Sequence, residues 1–419
     1  MRVQRLGPAG SRAGGPRWLP WRGGGGLASL PRSAIVLGLI AFCVAVGFGV
    51  VVPVLPVFAR AFGVDNFAVG AVISAFAVMR LATSPFCGRL ISRLGERTVL
   101  AVGIWIVAVS SGVSGLATSY QQLLIFRGIG GIGSAMFTVS AITLLLNSVP
   151  NNARGRAIGF YQGGFLIGGM AGPAIGGLLA GIALNAPFFF YAATLAVAGT
   201  VGMVLLPRGT GRMVDHNQPA RPFRDVLADP RYQAACLANF AQGWTSFGVR
   251  SALVPVLIVE VLHHKPVWTG IAFAIAAVVQ TIMLAPAGRV VDTIGRRPAL
   301  VGGGLVCAAS IAAVPFAPNL VVLVGCLMVY AAGASFLGTA PAASVGDAAG
   351  GRTGTPVAVF SMCSDTGAIL GPLVAGLLAD HTSYPIAFGV GALLLVAGAG
   401  LGVRVPPGLP IERANDGLR

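Results

Sequence analysis

The chain has 419 residues, of which 55% are hydrophobic and 10% charged, with a mean hydropathy of +0.84 and a formal net charge of +16. A soluble domain carries roughly 25% charged residues, so this chain has too few charges to cover a water-facing surface. Its basic residues fall in clusters between apolar runs and form no single patch, which excludes nucleic acid as a partner and fits loops at one face of a membrane.

Residues 1–33 are rich in Gly, Pro and Arg and contain no acid. They are expected to form a disordered basic cytoplasmic tail. They are not a signal peptide, because the apolar run that follows is too long and lacks a small-residue cleavage site. Twelve apolar runs follow, each close to the roughly 20 residues that a membrane helix needs. We number them spans 1 to 12: residues 34–57, 67–90, 98–116, 121–146, 157–180, 187–206, 233–259, 267–290, 299–316, 320–343, 355–379 and 385–404. The polar segment 207–232 reads as a cytoplasmic linker between a first bundle, 34–206, and a second, 233–404, with 405–419 as a cytoplasmic tail. An even span count places both termini on one side. Twenty-three basic residues fall on that side and two, Arg60 and Lys265, on the other. The bias predicts cytoplasmic termini, in a bacterial inner membrane.

The two bundles repeat one another. Gly88 to Leu100 (GRLISRLGERTVL) returns 200 positions later as Gly288 to Leu300 (GRVVDTIGRRPAL), with five of thirteen positions identical. Each copy joins two apolar runs and reads as a tight loop at a membrane face. Phe48-Gly49-Val50 and Pro56-Val57 recur as Phe247-Gly248-Val249 and Pro255-Val256. Gly168, Gly172-Pro173 and Gly177-Leu178-Leu179-Ala180 recur as Gly367, Gly371-Pro372 and Gly376-Leu377-Leu378-Ala379. Even span counts make the repeat parallel, an arrangement that lets two bundles rock about a site near the midplane.

The loop motif and its spacing resemble the major facilitator superfamily, whose signature at this place is Gly-x-Leu-(small)-Asp-Arg-x-Gly-Arg-(Arg/Lys). Gly88, Arg89, Gly95 and Arg97 match it in the first copy, and Gly288, Asp292, Gly295, Arg296 and Arg297 in the second. Arg127 with Gly131 and Gly133 is similar to an element of that family's drug exporters. Gly168, Gly172, Pro173, Gly176 and Gly177 in span 5 resemble the antiporter motif of its drug:proton branch. The resemblance implies an all-α integral membrane fold, twelve helices in two six-helix bundles related by a pseudo-two-fold axis. The first copy departs from the signature: Ser92 stands for the Asp, and Glu96 for the second basic residue. In the family the loop acid pairs across the ends of helices, and here that role falls to Asp292 or to Glu96. Span 1 lacks the acid that many drug/proton antiporters carry there.

Ionisable residues inside a span are functional candidates because a charge at the bilayer centre costs about 2.5–3.5 kcal/mol on insertion scales. There are four: Arg80, Arg127, Arg250 and Asp365. Asp365, the only carboxylate well inside a span, is either a proton carrier or half of a structural ion pair. Arg80 either pairs with Asp365 between the bundles or snorkels to the cytoplasmic face. Arg127 reads as a cavity residue that influences proton transfer or as a donor to backbone carbonyls. Arg250, where the repeat has Val51, contacts an anionic substrate or pairs with Glu260, the pair being favoured. Spans 1, 4, 7 and 10 line the cavity in this fold, which makes Phe48, Phe137, Asn239, Gln242, Trp244, Tyr330 and Phe336 candidates. The glycines of span 5 serve close helix approach, and Pro173 bends the span.

The six cysteines all lie in apolar runs, with no CxxC, and read as small buried hydrophobes. No metal or nucleophile constellation is present, so no metal site and no enzyme is expected. Without a Walker motif, the drive expected is a proton gradient with no bound cofactor. The sequence thus predicts a monomeric secondary transporter whose partners are a small molecule and the bilayer. Proton-coupled efflux of lipophilic or amphiphilic compounds comes first, and import or facilitated passage of a sugar, organic acid or other metabolite second.

Overall fold

The computed structural model describes residues 31–149, 154–206, 223–349 and 354–406. Most of the two expected tails and the larger part of the linker, 207–222, lie outside them. Among the described residues, twelve helices are long and apolar enough to cross a membrane. Spans 1 to 6 are Arg32–Val51, Asn66–Leu94, Glu96–Ser114, Tyr120–Ser148, Arg154–Ile182 and Ala186–Leu205. Spans 7 to 12 are Pro230–Val261, Val267–Thr293, Arg296–Phe316, Leu320–Ala349, Gly354–His381 and Tyr384–Gly402. Among the described residues there is no strand. The cause is solvation: in lipid every backbone N–H and C=O must find its partner in the protein, and a helix supplies those partners within a single segment. Span 2, with 29 residues, is about 44 Å long at 1.5 Å per residue and so outreaches a hydrocarbon core of about 30 Å.

Helix starts follow local polar chemistry. Asp65 accepts from the Ala68 N–H at 2.8 Å, Asp229 from the Arg231 N–H at 2.8 Å, and Ser119 from the Gln122 N–H at 3.4 Å, each relieving one of the orphan donors of a helix N-terminus. Span 1 is shorter than its apolar run. It stops at Val51, and a separate short helix, Leu55–Arg60, carries the chain to the far side. The segment expected as linker is helical from Phe223 to Ala228, and its Val226 packs with Tyr232, Val345 and Ala348.

The loop motif is not a thirteen-residue loop. The helix of span 2 runs through Gly88 to Leu94, and span 3 begins at Glu96. The turn is Gly95 alone, at φ 79°, and its counterpart Gly295 has φ 116°, backbone that a side chain would strain. A hydropathy break marks where the chain leaves lipid, but a helix with satisfied hydrogen bonds continues into water until a residue ends it.

Each bundle has its own apolar core. One gathers Leu37, Ile40, Leu100, Leu144, Phe188 and Tyr191; the other Leu253, Ile258, Cys307, Ile311, Tyr330 and Phe388. Span 1 packs on spans 5 and 6, span 3 on 4 and 6, and span 2 on 4. In the second half span 7 packs on 11 and 12, span 9 on 10 and 12, and span 8 on 10. Between the bundles, span 2 meets span 11 and span 5 meets span 8. Exchanging the halves turns one of these contacts into the other, which is the two-fold relation.

Glycines set the close approaches. A Cβ at Gly168 would come within 2.5 Å of the Phe42 carbonyl, and one at Gly172 within 2.6 Å of the Val46 carbonyl, so these residues seat span 5 on span 1. Gly176 continues the row against Val50. Gly177 faces the other bundle, where an added Cβ would stand 2.9 Å from the Gly270 Cα. All six cysteines are free, Cys87 and Cys307 buried and the others half-buried.

Candidate functional site: a cavity between the bundles

The first and last spans start and finish at one face, the termini face. At the opposite, far face the bundles are tied by polar contacts between charged side chains and helix ends. Arg60 grips Glu260 with two parallel hydrogen bonds, both 2.7 Å, and also donates to the Val64 carbonyl. The Glu260 carboxylate holds the Arg60 guanidinium above its ordinary pKa. Asp380, at the end of span 11, accepts from the Asn66 N–H at 3.1 Å, the Asn66 Nδ2 at 2.7 Å and the Phe67 N–H at 2.8 Å. Deeper, Ser74 Oγ donates to the Ile369 carbonyl at 2.6 Å.

The deepest tie is the ion pair of Arg80 with Asp365. Arg80 is the midpoint of span 2, and Asp365 lies near the middle of span 11. Among the described residues, every hydrogen bond and ion pair between the bundles lies at the far face or at this central level. The far face is closed.

A cavity of about 450 Å³ lies between the bundles. Span 1 contributes Phe48, span 2 Phe76 and Arg80, span 4 Phe137 and Thr138, span 5 Phe165, and span 6 Tyr191. Span 7 contributes Ser246, Phe247, Arg250 and Ser251, and span 8 Phe273, Gln280 and Thr281. The wall is aromatic with scattered hydroxyls and one amide, and its two charges are both arginines. Arg127, 5% exposed, stands behind the wall with its guanidinium 4.7 Å from the Phe76 ring centre; among the described residues it has no carboxylate partner.

Of the expected cavity residues, Phe48 and Phe137 line this space. The other five do not, and in each case packing is the reason. Asn239 Nδ2 donates to the Phe360 carbonyl at 2.7 Å and ties span 7 to span 11. Gln242 turns along its own helix to Ser246. Trp244 packs against Phe240 and the glycines of span 11. Tyr330 is wholly buried, its hydroxyl 3.0 Å from Thr245 Oγ1. Phe336 sits over Gly303 on the span 9 side. No residue of span 10 reaches the cavity; spans 2, 5, 6 and 8 do. Arg80 was the one sequence signal for span 2, and Phe76 lies one helical turn before it.

Arg250 does not pair with Glu260, which Arg60 occupies. Its guanidinium instead lies 5.6 Å from the Phe273 ring centre and 5.8 Å from that of Tyr330. It is carried by a π-helical stretch, Trp244–Leu253, a wider winding that recurs at functional sites.

At the termini face the repeated motif holds its own bundles together. Glu96 is completely buried and accepts from Asn147 Nδ2 at 2.9 Å. Arg97 donates to the Met203 carbonyl. In the second copy Arg296 Nε stands 2.8 Å from Asp347 Oδ2. Asp292, Arg89 and Arg289 are exposed. Of the two acids expected to take the signature role, Glu96 is thus the packed one and Asp292 faces outward. Among the described residues no group of acids, histidines and cysteines could hold a metal.

A family model, the Major Facilitator Superfamily, matches residues 37–280 and 235–417. The chain belongs to the Major Facilitator Superfamily. Superfamily membership makes it a multi-pass membrane transporter and not an enzyme. Its curated relatives include Multidrug resistance protein 2 of Bacillus subtilis, 26% identical over 86% of this chain and 92% of that protein. The Quinolone resistance protein NorA of Staphylococcus aureus is 28% identical over 42% of this chain and 45% of its own length. Among solved structures, a bacterial homolog of the human lysosomal transporter Spinster, in its inward-facing and occupied conformation, superposes with a TM-score of 0.71 at 17% identity. It covers 88% of this chain and 95% of its own, a likeness of fold.

Proposed function

We propose that this superfamily member exports small lipophilic or amphiphilic compounds from the cytoplasm in exchange for protons, by alternating access of the cavity between its bundles. The observation that carries the reading is the Arg80–Asp365 pair. It joins spans 2 and 11 at mid-depth, it borders the cavity through Arg80, and it contains the carboxylate placed deepest within a span. Protonation of Asp365 removes the charge that holds Arg80 and loosens the contact between bundles at its deepest point. Deprotonation re-forms it. Proton occupancy and the closure of the far face are thereby linked, and no bound cofactor is required.

The direction of transport rests on the drug-resistance relatives and on the span 5 glycines, and the location on the distribution of arginines. With the termini cytoplasmic, the present state is inward-facing, in a bacterial inner membrane, and the chain acts as a monomer. The test is flux in proteoliposomes under an imposed pH gradient with a panel of dyes and antibiotics. Gradient-dependent transport that Asp365→Asn abolishes supports the reading. Gradient-independent passage of a sugar or organic acid, with none of the panel moved, overturns it in favour of a facilitator.

A further inference from the structure

The charges in the cavity do not balance. Arg80 is neutralised by Asp365, whereas Arg250 has no carboxylate and no hydrogen-bond acceptor among the described residues, and its Nε is buried without a partner. The acids that could reach it from the packed elements are otherwise engaged: Glu260, on its own helix, holds Arg60, and Asp365, on span 11, holds Arg80. Spans 1, 8 and 10, which surround it, place no acid at this depth. Arg250 is half-buried, and the rings of Phe273 and Tyr330 offset part of the cost of drawing its cation out of water, but no carboxylate offsets the rest. Packing does not demand it either, since Val51 occupies the equivalent place in the first bundle. The π-helical winding of Trp244–Leu253 is a second departure from the first bundle at the same spot, where span 1 is α-helical as far as Val51.

We propose that the cavity selects amphiphiles bearing an anionic group, a carboxylate or a like oxyanion on an aromatic body, and that Arg250 is the residue that holds that group. The planar guanidinium offers two parallel donors to an oxyanion. Phe48, Phe137 and Phe165 supply faces for the body, and about 450 Å³ accommodates a molecule of two or three rings. A cationic amphiphile would meet a like charge with no acid on the wall to receive it. This inference rests on the transport reading for the site but names its substrate class.

The test is binding by the purified full-length protein in detergent, with no gradient. Dansylglycine, its neutral amide and dansylcadaverine present one fluorophore with a carboxylate, an amide and an ammonium group. The wild-type protein should bind the carboxylate about tenfold or more tighter than either of the others, the size of a charge-assisted hydrogen-bonded contact. Arg250→Gln should bring the affinity for the carboxylate probe down to that for the amide, and Arg250→Lys should keep part of the preference. The wild-type comparison needs no variant, so a misfolded substitution cannot hide the answer. Equal or tighter binding of the ammonium probe, an unchanged preference in Arg250→Gln, or binding of none of the three overturns the proposal. Carboxylate binding without pH-driven flux would leave this inference standing and remove proton-coupled export. Flux of cations alone would do the reverse.

Discussion

Asn147 donates to Glu96 at 2.9 Å, and 200 residues later Arg296 stands opposite Asp347 at 2.8 Å. The same two helix positions are tied in both bundles, but the hydrogen-bonding sense is reversed: the first residue is the acceptor in one half and the donor in the other. The degraded first copy of the motif is therefore rewired and not lost.

The two ties should differ in worth. Glu96 is fully buried, so Glu96→Ala removes a charge-assisted hydrogen bond made out of water and should cost about 1–3 kcal/mol. Arg296 and Asp347 are about a third exposed, and Arg296→Ala should cost at most ~1 kcal/mol. Asp292→Asn, on an exposed side chain, should stay within ~0.5 kcal/mol. Thermal unfolding in detergent ranks them; an Arg296 variant weaker than the Glu96 variant would contradict the burial argument.

The central pair predicts a rescue. Arg80→Asp and Asp365→Arg should each abolish gradient-driven flux, because each puts two like charges across the bundles. The double exchange restores attraction and should recover a measurable fraction of it. Failure of the double variant, at normal expression and unfolding temperature, would show that the residues act separately.

Two neighbouring glycines should part company. Gly172→Val invades the seam between spans 1 and 5 and should lower stability by about 1–3 kcal/mol, as overpacking does. Gly177→Val intrudes on span 8 of the other bundle and should leave the bundle stable while preventing the far face from closing. Unfolding temperature and flux, measured on both, separate the effects; equal destabilisation would mean that Gly177 is only a packing residue.

On the proposed alternating-access reading, the far-face contacts set the balance between states. Asp380→Asn weakens three hydrogen bonds and Arg60→Ala removes a bidentate pair. Each should raise the reactivity of a cysteine placed at Phe67 toward a membrane-impermeant maleimide. The Arg60 effect should shrink at high salt, since that pair is exposed enough to be screened. Unchanged labelling in both variants would mean that helix packing alone holds the face shut.

Hydropathy made the spans legible because lipid tests one quantity, apolar length, and the repeat was legible in motifs that recur in the second half. The ion pair of Arg80 with Asp365 could be anticipated because the two residues have opposite charges and lie at similar depths in their spans. Azimuth was not legible. A soluble helix shows its buried face by contrast with a polar one, but Tyr330 and Phe336 have apolar surroundings whether they face lipid, core or cavity. The same blindness hid Phe76, Phe165 and Phe273. Arg60 and Glu260 looked like ordinary loop charges because their partnership exists only across the assembled bundles.

The start of span 2 has two carboxylates. Asp65, its own neighbour in the chain, caps Ala68, and Asp380 from the other bundle takes the N–H groups of Asn66 and Phe67. In the alternating-access cycle proposed above, one cap would be permanent and one detachable. As the bundles part, water would replace Asp380 at a helix end whose first turn stays fastened by Asp65. The opening motion can then move span 2 as a rigid rod, without unwinding the end on which the next closure depends.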